Sequence, residues 1–325
     1  MAHLLKPFPD DASKGMAYAT IALTGCCAIS AFLPVIGFIV FMLLPAVVLF
    51  YRTRMERLAT VFSITLSWVI ISLLTGGLSA DAFMMLVMMS LGLFMAEWIE
   101  KKSPVEVIVG FSSASVLGLA IMALMVYGNM SGTGMVQVLS DYISKNLDLT
   151  IAAYKQLGIS DDRIAAISSA KVRIHYVLLR LLPGLAAAGL VLSAWMNLLA
   201  AREVFRRAGW PFAGQWPLNL WKAPEALVWG VIASLLILFM PVSSLRFIAA
   251  NGMIILMAIY LLQGFAIVSF YFNLKNVPTF LRMTVYVIIG VQQLFLICII
   301  GLGFFDIWIN FRKLGVSKDP QTPLD

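Results

Sequence analysis

The sequence predicts an all-α integral membrane protein, a helical bundle of about nine (eight to nine) transmembrane helices. Of its 325 residues, 61% are hydrophobic and only 12% are charged, which is roughly half the charged fraction of a soluble domain. Eight long stretches contain no charged residue. They do not alternate apolar and polar residues as transmembrane β-strands do, so the spans are predicted to be helices.

These charge-free stretches place the spans in order along the chain. They cover residues 15–51, 58–80, 82–96, 107–140, 181–201, 226–245, 247–274 and 283–305. The first is too long for one crossing of about 20 residues. It contains Pro34 and Pro45, and proline bends a helix because it lacks a backbone donor. We therefore expect two spans that turn near Leu33 and Pro34, and nine spans in total.

The long loop at residues 129–175 separates two groups of spans within a single expected membrane domain, residues 1–325. Five spans lie in residues 1–128 and four in residues 176–325. From Met135 to Leu157, apolar and charged residues occupy opposite faces at helical spacing, which predicts an amphipathic helix. It lies on the bilayer or the bundle, or it forms a lid. Gly158 is expected to end it, and Ser160 to cap a second short helix.

The basic excess, +7 at neutral pH, fits a membrane protein with a cytoplasmic N-terminus. Residues 202–222 are then cytoplasmic and residues 129–175 lie outside. Among the short outer turns only Arg246 is basic, which is a strong positive-inside bias. Nine spans would put the basic tail outside, so either the tail is an exception or one late segment is re-entrant. No basic stretch forms a separate domain, so no nucleic acid partner is expected.

A loop at residues 208–225 holds three tryptophans and three prolines. Indoles concentrate at the headgroup level, so this loop is expected to lie at the membrane interface. Stacking of a ligand on Trp216 or Trp221 is the alternative.

Motifs for catalysis and metal binding are missing from the sequence. It contains no G-x-x-x-x-G-K-[ST] and no H-E-x-x-H, the motifs of nucleotide hydrolysis and zinc proteolysis. Cys26, Cys27 and Cys298 all fall within apolar stretches, as small packing residues do. We therefore expect no enzymatic activity, no cofactor and no metal.

A smooth stripe of small residues marks the fifth span. Gly110, Ala114 and Gly118 are four residues apart, a spacing that suits close helix packing. The stripe is expected to face either a neighbouring helix of this chain or a membrane protein partner.

Polar residues deep in the last two spans are the candidate substrate-binding residues. Gln263 and the pair Gln292 and Gln293 lie at similar distances from the short turn that joins their spans. Gln263 is therefore expected to bond to one of the pair near mid-bilayer, either as packing between helices or beside a ligand. Asn251 and Asp306 are expected to lie near Arg246 at the outer ends of the same spans.

The stretches "YLLQGFAIVSFYF", "VPTFLR" and "GLGFFDIWINFRK" resemble the YybS-like family of uncharacterised bacterial membrane proteins. That family is remotely similar to the S subunits of energy-coupling-factor transporters. The resemblance implies a multi-pass protein of the bacterial cytoplasmic (inner) membrane that captures a small molecule and leaves ATP hydrolysis to a separate module.

The sequence is therefore compatible with two functions. The first is capture or transport of a small molecule without an ATPase of its own. The second is a membrane scaffold or regulatory protein, in which the glutamines hold helices together and the small-residue stripe meets a partner. A water-filled cavity at Gln263 would favour the first, and a dry packed centre the second. In both, the lipid bilayer is the surrounding partner.

Overall fold

A computed structural model describes residues 12–77, 79–209 and 217–312. It confirms the predicted fold class, a helical membrane bundle: every long element in these ranges is an α-helix. The chain forms two compact units, Met1–Gln215 and Trp216–Asp325, here called unit 1 and unit 2. Each is described by itself.

The described part of unit 1 contains seven helices. They are α1 (Ala12–Phe32), α2 (Pro34–Arg52), α3 (Arg57–Leu74), α4 (Ala80–Glu100), α5 (Val105–Met130), α6 (Met135–Gln156) and α7 (Asp161–Arg207). The predicted turn in the first long stretch is confirmed, because α1 ends at Phe32 and Pro34 begins α2. A proline is tolerated there because the first helical N–H has no partner within the helix.

The long loop of the sequence is helical, and it consists of α6 and the first part of α7. As predicted, α6 ends just before Gly158, which has a left-handed φ of 71°. The second short helix was wrong in length, because the helix after Ser160 runs on for 47 residues as α7, about 70 Å. The Lys171 amine on α7 lies 2.6 Å from the Asp148 carboxylate on α6.

A side chain of α7 enters the backbone of α2 beside Pro45. The amide oxygen of Asn197 accepts from the Ala46 N–H at 2.8 Å, and its nitrogen donates to the Met42 carbonyl at 2.8 Å. Asn197 therefore bonds to the two groups, the Ala46 N–H and the Met42 carbonyl, that pair with each other in a regular helix. A Cβ on Gly92 of α4 would overlap the Pro45 carbonyl oxygen, so three helices meet closely at this point.

The small-residue stripe of α5 does not pack against the described part of the chain. Gly110, Ala114 and Gly118 are all exposed, and a Cβ on either glycine would meet nothing within 4 Å. The expected contact within this chain is therefore wrong. The spacing identified a face of α5, but it is the neighbouring face, with Ser112 and Val116, that is buried.

Within residues 217–312, unit 2 contains four α-helices after a short 3₁₀ turn at Leu218–Leu220. They are α8 (Leu227–Leu238), α9 (Ser243–Leu274), α10 (Thr279–Val291) and α11 (Gln293–Ile309). With 12 residues, α8 is about 18 Å long, so it could cross a core of about 30 Å only together with the non-helical residues 221–226 before it, whose Ala223 N–H bonds to Gln263 in the middle of α9. In the tryptophan-rich loop, Trp216 lies outside the described residues.

Of the eight to nine spans expected, the described residues provide seven or eight. Seven helices, α1 to α5, α7 and α9, are long and apolar enough to cross a membrane, and the α10–α11 pair makes an eighth if it is one span. That pair was predicted to be one continuous span over residues 283–305. Instead the helix axis bends by 103° at the break between α10 and α11, where Gln292 is extended, with φ −97° and ψ 108°.

Both ends of the α10–α11 pair lie at the same end of α9. Near the start of α10, Arg282 donates to the side chain of Asn273 at 2.6 Å and to the Phe272 carbonyl at 3.0 Å. Just after α11, the Phe311 carbonyl accepts from the Tyr271 hydroxyl at 2.8 Å. We call the pair the hairpin, and this end of unit 2 the Leu274 end.

Candidate functional site

The helices α9 and α11 touch backbone to backbone at two glycines. A Cβ on Gly264 would overlap the Ile299 carbonyl oxygen, and a Cβ on Gly303 would overlap that of Tyr260. Phe311 contacts Tyr271, eight and seven residues beyond these glycines. The similar offsets show that α11 runs in the same direction as α9 and ends at the Leu274 end.

Gln263 lies beside this crossing and is completely buried. Its nitrogen donates to the Asp306 carboxylate at 3.0 Å, and its oxygen accepts from the Ala223 N–H at 3.2 Å. The expected bond to Gln292 or Gln293 is therefore wrong. The three glutamines would lie at equal depth only if residues 283–305 formed one straight helix, and the break at Gln292 turns the chain away from that line.

Asp306 is also completely buried, and three donors surround its carboxylate. Besides Gln263, these are the Phe311 N–H at 2.9 Å and the Arg312 guanidinium at 2.8 Å. The donors come from α9 and from the turn after α11, so the carboxylate joins the end of α11 to both.

Arg312 connects this carboxylate to the segment before α8. Its guanidinium donates to the carbonyls of Asn219 and Trp221, at 3.0 and 2.9 Å, and its side chain is fully buried. The chain reverses at Asn310, whose φ of 46° is left-handed, a conformation that asparagine tolerates. Gln263, Asp306, Arg312 and the backbone of residues 219–223 together form a network that we call the latch.

The expected outer cluster of Arg246, Asn251 and Asp306 is wrong for the same reason as the glutamine pair. Asp306 bonds at Gln263, and Asn251 is 12 residues away on α9, about 18 Å along the helix. Asn251 donates to the Phe247 carbonyl at 2.7 Å in its own helix. The Arg246 guanidinium donates to the Met240 carbonyl at 2.8 Å.

Gln292 and Gln293 form the tip of the hairpin, where α10 ends and α11 begins. Both are exposed in the chain. Helix ends leave backbone N–H and carbonyl groups without partners in the helix, so the tip adds polar backbone to two amide side chains. Within a bilayer, such irregular backbone is tolerated where protein or water covers it.

The sequence identified four residues of this site but not how they are arranged: Gln263, Gln292, Gln293 and Asp306. Gln263 and Asp306 were both candidates, yet nothing paired them, because their separation of 43 residues includes the break. Arg312 was counted only as a tail charge. A usable signal was present: Asp306 precedes Asn310 and Arg312 by four and six residues, and a turn at asparagine brings such a pair together.

The described ranges hold no group of three or more His, Cys, Asp or Glu residues placed to bind a metal ion. The site thus consists of a buried ionic latch and an exposed amide tip on one hairpin, within a helical membrane protein.

That class agrees with the family to which the sequence belongs. A family model described as "Predicted membrane protein (DUF2232)" matches residues 20–307, and the chain is therefore a member of this family. No curated protein and no solved structure matches the chain.

Proposed function

We propose that this protein captures or transports a small polar molecule through the membrane, and that the tip of the hairpin is the part that contacts it. The observation that carries the proposal is the 103° bend at Gln292 in an otherwise apolar helix pair. Transporters place substrate sites at discontinuous helices, where helix ends and unwound backbone face the ligand.

Gln292 and Gln293 are the residues we assign to the molecule. Each amide offers two donors and one acceptor, so together they suit a ligand that carries hydroxyl, amide or carboxylate groups. Gln263 and Asp306 hold α11 in place in this proposal, because their polar atoms already bond within the latch. Asn251, half-buried on α9, is a further candidate contact.

The proposal includes a location and a dependence on other proteins. We place the protein in the cytoplasmic membrane of a bacterium, as its resemblance to the YybS-like family implies. Without a nucleotide-binding motif in the sequence, energy for transport would come from an ion gradient or from a separate protein, and we assign no enzymatic activity.

A second candidate function is a scaffold or regulatory membrane protein. Two observations favour it. The deepest glutamine, Gln263, lies in a packed centre with no exposed surface, which suits structural bonding. The stripe of Gly110, Ala114 and Gly118 is open on α5, where another membrane helix could approach closely.

Uptake into proteoliposomes distinguishes the two functions. Vesicles with the wild-type protein, with Gln292→Leu/Gln293→Leu, or without protein are incubated with a desalted bacterial metabolite extract, with and without an imposed proton or sodium gradient. Mass spectrometry then identifies the contents.

A metabolite enriched only with the wild-type protein supports transport through the tip. Enrichment that the double variant retains removes the tip from the path. The protein is also purified from its native membrane. If no metabolite is enriched in the vesicles or co-purifies with the protein, and a membrane protein co-purifies in stoichiometric amount, the scaffold function replaces transport.

A further inference from the structure

We infer that residues 283–298, from the first turns of α10 through the tip to the start of α11, form a mobile segment that opens and closes, which we call the gate. It is held at each end by a fixed set of contacts, which we call the two clamps. The inference rests on the proposed function, because it describes how the tip would open and close. It is carried by the distribution of contacts along the hairpin, which is strongly uneven.

The first clamp is Arg282, at the base of α10. Its guanidinium donates to the Phe272 carbonyl at 3.0 Å and the Asn273 side chain at 2.6 Å at the end of α9, and to the Val277 carbonyl at 2.7 Å in the turn that follows. Carbonyls at a helix C-terminus attract a cation. Arg282 therefore fixes the base of α10 to the end of α9.

The second clamp is the glycine crossing together with the latch. From Ile299 onward, α11 has buried positions at Ile299, Gly303 and Asp306. Gly303 touches the backbone of α9, and Asp306 is tied to Gln263 and Arg312. Displacing this part of α11 would expose a buried ion pair, so it is the stationary arm.

The stretch between the clamps is held by far fewer contacts. Of residues 283–298, only Ile289 is buried in the chain. Tyr286 adds ring contacts with Phe265 and Phe272, at 5.9 and 5.6 Å between ring centroids, and a hydrogen bond to Ser269. Segments with few buried contacts open at the lowest free energy, and the extended residue Gln292 separates α10 from α11, as a hinge requires.

The position of the clamps determines the direction of motion. Because Arg282 holds the base of α10, the far end of α10 has the larger displacement, and that end carries the amides of Gln292 and Gln293. Movement of α10 about its base would therefore bring the tip towards α9 or carry it away. The stationary arm keeps the latch closed in both positions.

The test measures distances between spin labels in lipid nanodiscs. The background replaces Cys26, Cys27 and Cys298 with alanine. One pair joins Val287→Cys in the gate to Met257→Cys on α9. The matched control joins Trp308→Cys on α11 to the same Met257→Cys. All three labelled positions are exposed, 61%, 46% and 58% respectively, and the ring contacts that Trp308→Cys removes, with Phe304 and Phe305, lie within α11 itself.

The gate predicts a broad or two-peaked distance distribution for the Val287 pair and a single narrow one for the Trp308 pair. Equally narrow distributions for both would overturn it. Ile288→Cys, 45% exposed, replaces Val287→Cys if that variant does not fold, as judged by gel filtration.

Adding Arg312→Met to the background should broaden the Trp308 pair as well, because it opens the second clamp. An unchanged Trp308 pair in that variant would show that the latch does not hold α11.

The outcome is separable from that of the proposed function. A mobile gate in a protein that accumulates no metabolite would leave the gate standing and remove transport. A rigid gate in a protein that does accumulate a metabolite would remove only the gate.

Discussion

The amide of Gln263 satisfies groups on two other segments at once. It donates to Asp306 on α11 and accepts from the Ala223 N–H before α8. Buried polar groups that lose their partner cost more than the bond itself contributed. A glutamine in an apolar helix is therefore explained here by what surrounds it: a carboxylate that needs donors and a backbone N–H that needs an acceptor.

Replacing Gln263 by leucine should destabilise the protein. The variant keeps the side-chain volume roughly constant but leaves the Ala223 N–H and one lone pair of Asp306 without their partners, at a cost of about 1–3 kcal/mol. Thermal unfolding in detergent measures the loss. The control is Gln292→Leu, at an exposed position, which should unfold close to the wild-type temperature. Equal melting of Gln263→Leu and Gln292→Leu would contradict this account.

Removing one member of the buried ion pair should be more costly than removing both. Arg312→Met leaves the Asp306 carboxylate buried without its cation, and breaking such pairs costs about 3–5 kcal/mol. Arg312→Met with Asp306→Leu removes both charges, so this variant should regain much of the lost stability. The same thermal measurement checks both. If the double variant is less stable than the single one, the remaining bonds to the carboxylate matter more than the charge pair.

At the level of helices, glycine decides where α9 and α11 meet. Gly264 and Gly303 bring the two backbones into contact, and the polar groups of the latch lie next to that contact. Close approach through small residues is the usual way membrane helices associate, because lipid gives no hydrophobic drive between them. The crossing therefore positions Asp306 within reach of Gln263.

Alanine should destabilise the protein at one glycine of α11 and not at another. Gly303→Ala places a methyl group against the Tyr260 carbonyl, and overpacking of this kind costs about 1–3 kcal/mol. Gly301→Ala has nothing within 4 Å, so it should be neutral or stabilise the helix by up to about 1 kcal/mol. Chemical denaturation of both variants in the same detergent makes the comparison. Similar losses at the two positions would show that helix propensity, not the crossing, determines the result.

The sequence predicted those helices whose ends carry a local signal. Pro34 marked the start of α2 and Gly158 the end of α6, because each residue has a backbone preference that acts within one turn. The break at Gln292 had no such marker. It follows a run of β-branched residues and Gly290, "VIIGV", which are weak helix formers, yet the run is apolar enough to span. Hydropathy shows whether a segment is apolar enough to span, but not the path of its backbone, so it did not reveal the bend.

The candidate site shows the same limit. Polar residues in apolar stretches could be found by inspection, which is how Gln263, Gln292, Gln293 and Asp306 became candidates. Their pairing depended on the path of the backbone between them. Ala223 could not have been identified at all, because its contribution is a main-chain N–H that any residue except proline would supply.

For the molecule as a whole, the hairpin reconciles the basic tail with the positive-inside rule. Lys275 follows α9, Arg282 lies near the start of α10, and Arg312 follows α11, so these cations share the Leu274 end. Arg246 lies near the start of α9, 29 residues before Lys275, or about 43 Å. Because α10 begins and α11 ends at the Leu274 end, the basic residues near these two ends lie on one face of the membrane, as the rule requires of the cytoplasmic face.

Accessibility of single cysteines should therefore place the C-terminus on the same face as Lys275. In a background without Cys26, Cys27 and Cys298, cysteine is introduced at Lys275 or Arg246, or appended after Asp325. A membrane-impermeant maleimide should label Arg246→Cys in intact cells, and the other two only in inverted vesicles, because charge bias places the Leu274 end in the cytoplasm. If the appended cysteine reacts in intact cells while Lys275→Cys does not, α10 and α11 together cross the bilayer. The contacts of Tyr271 and Arg282 would then have to form at opposite faces of the membrane, which one end of a single helix cannot provide.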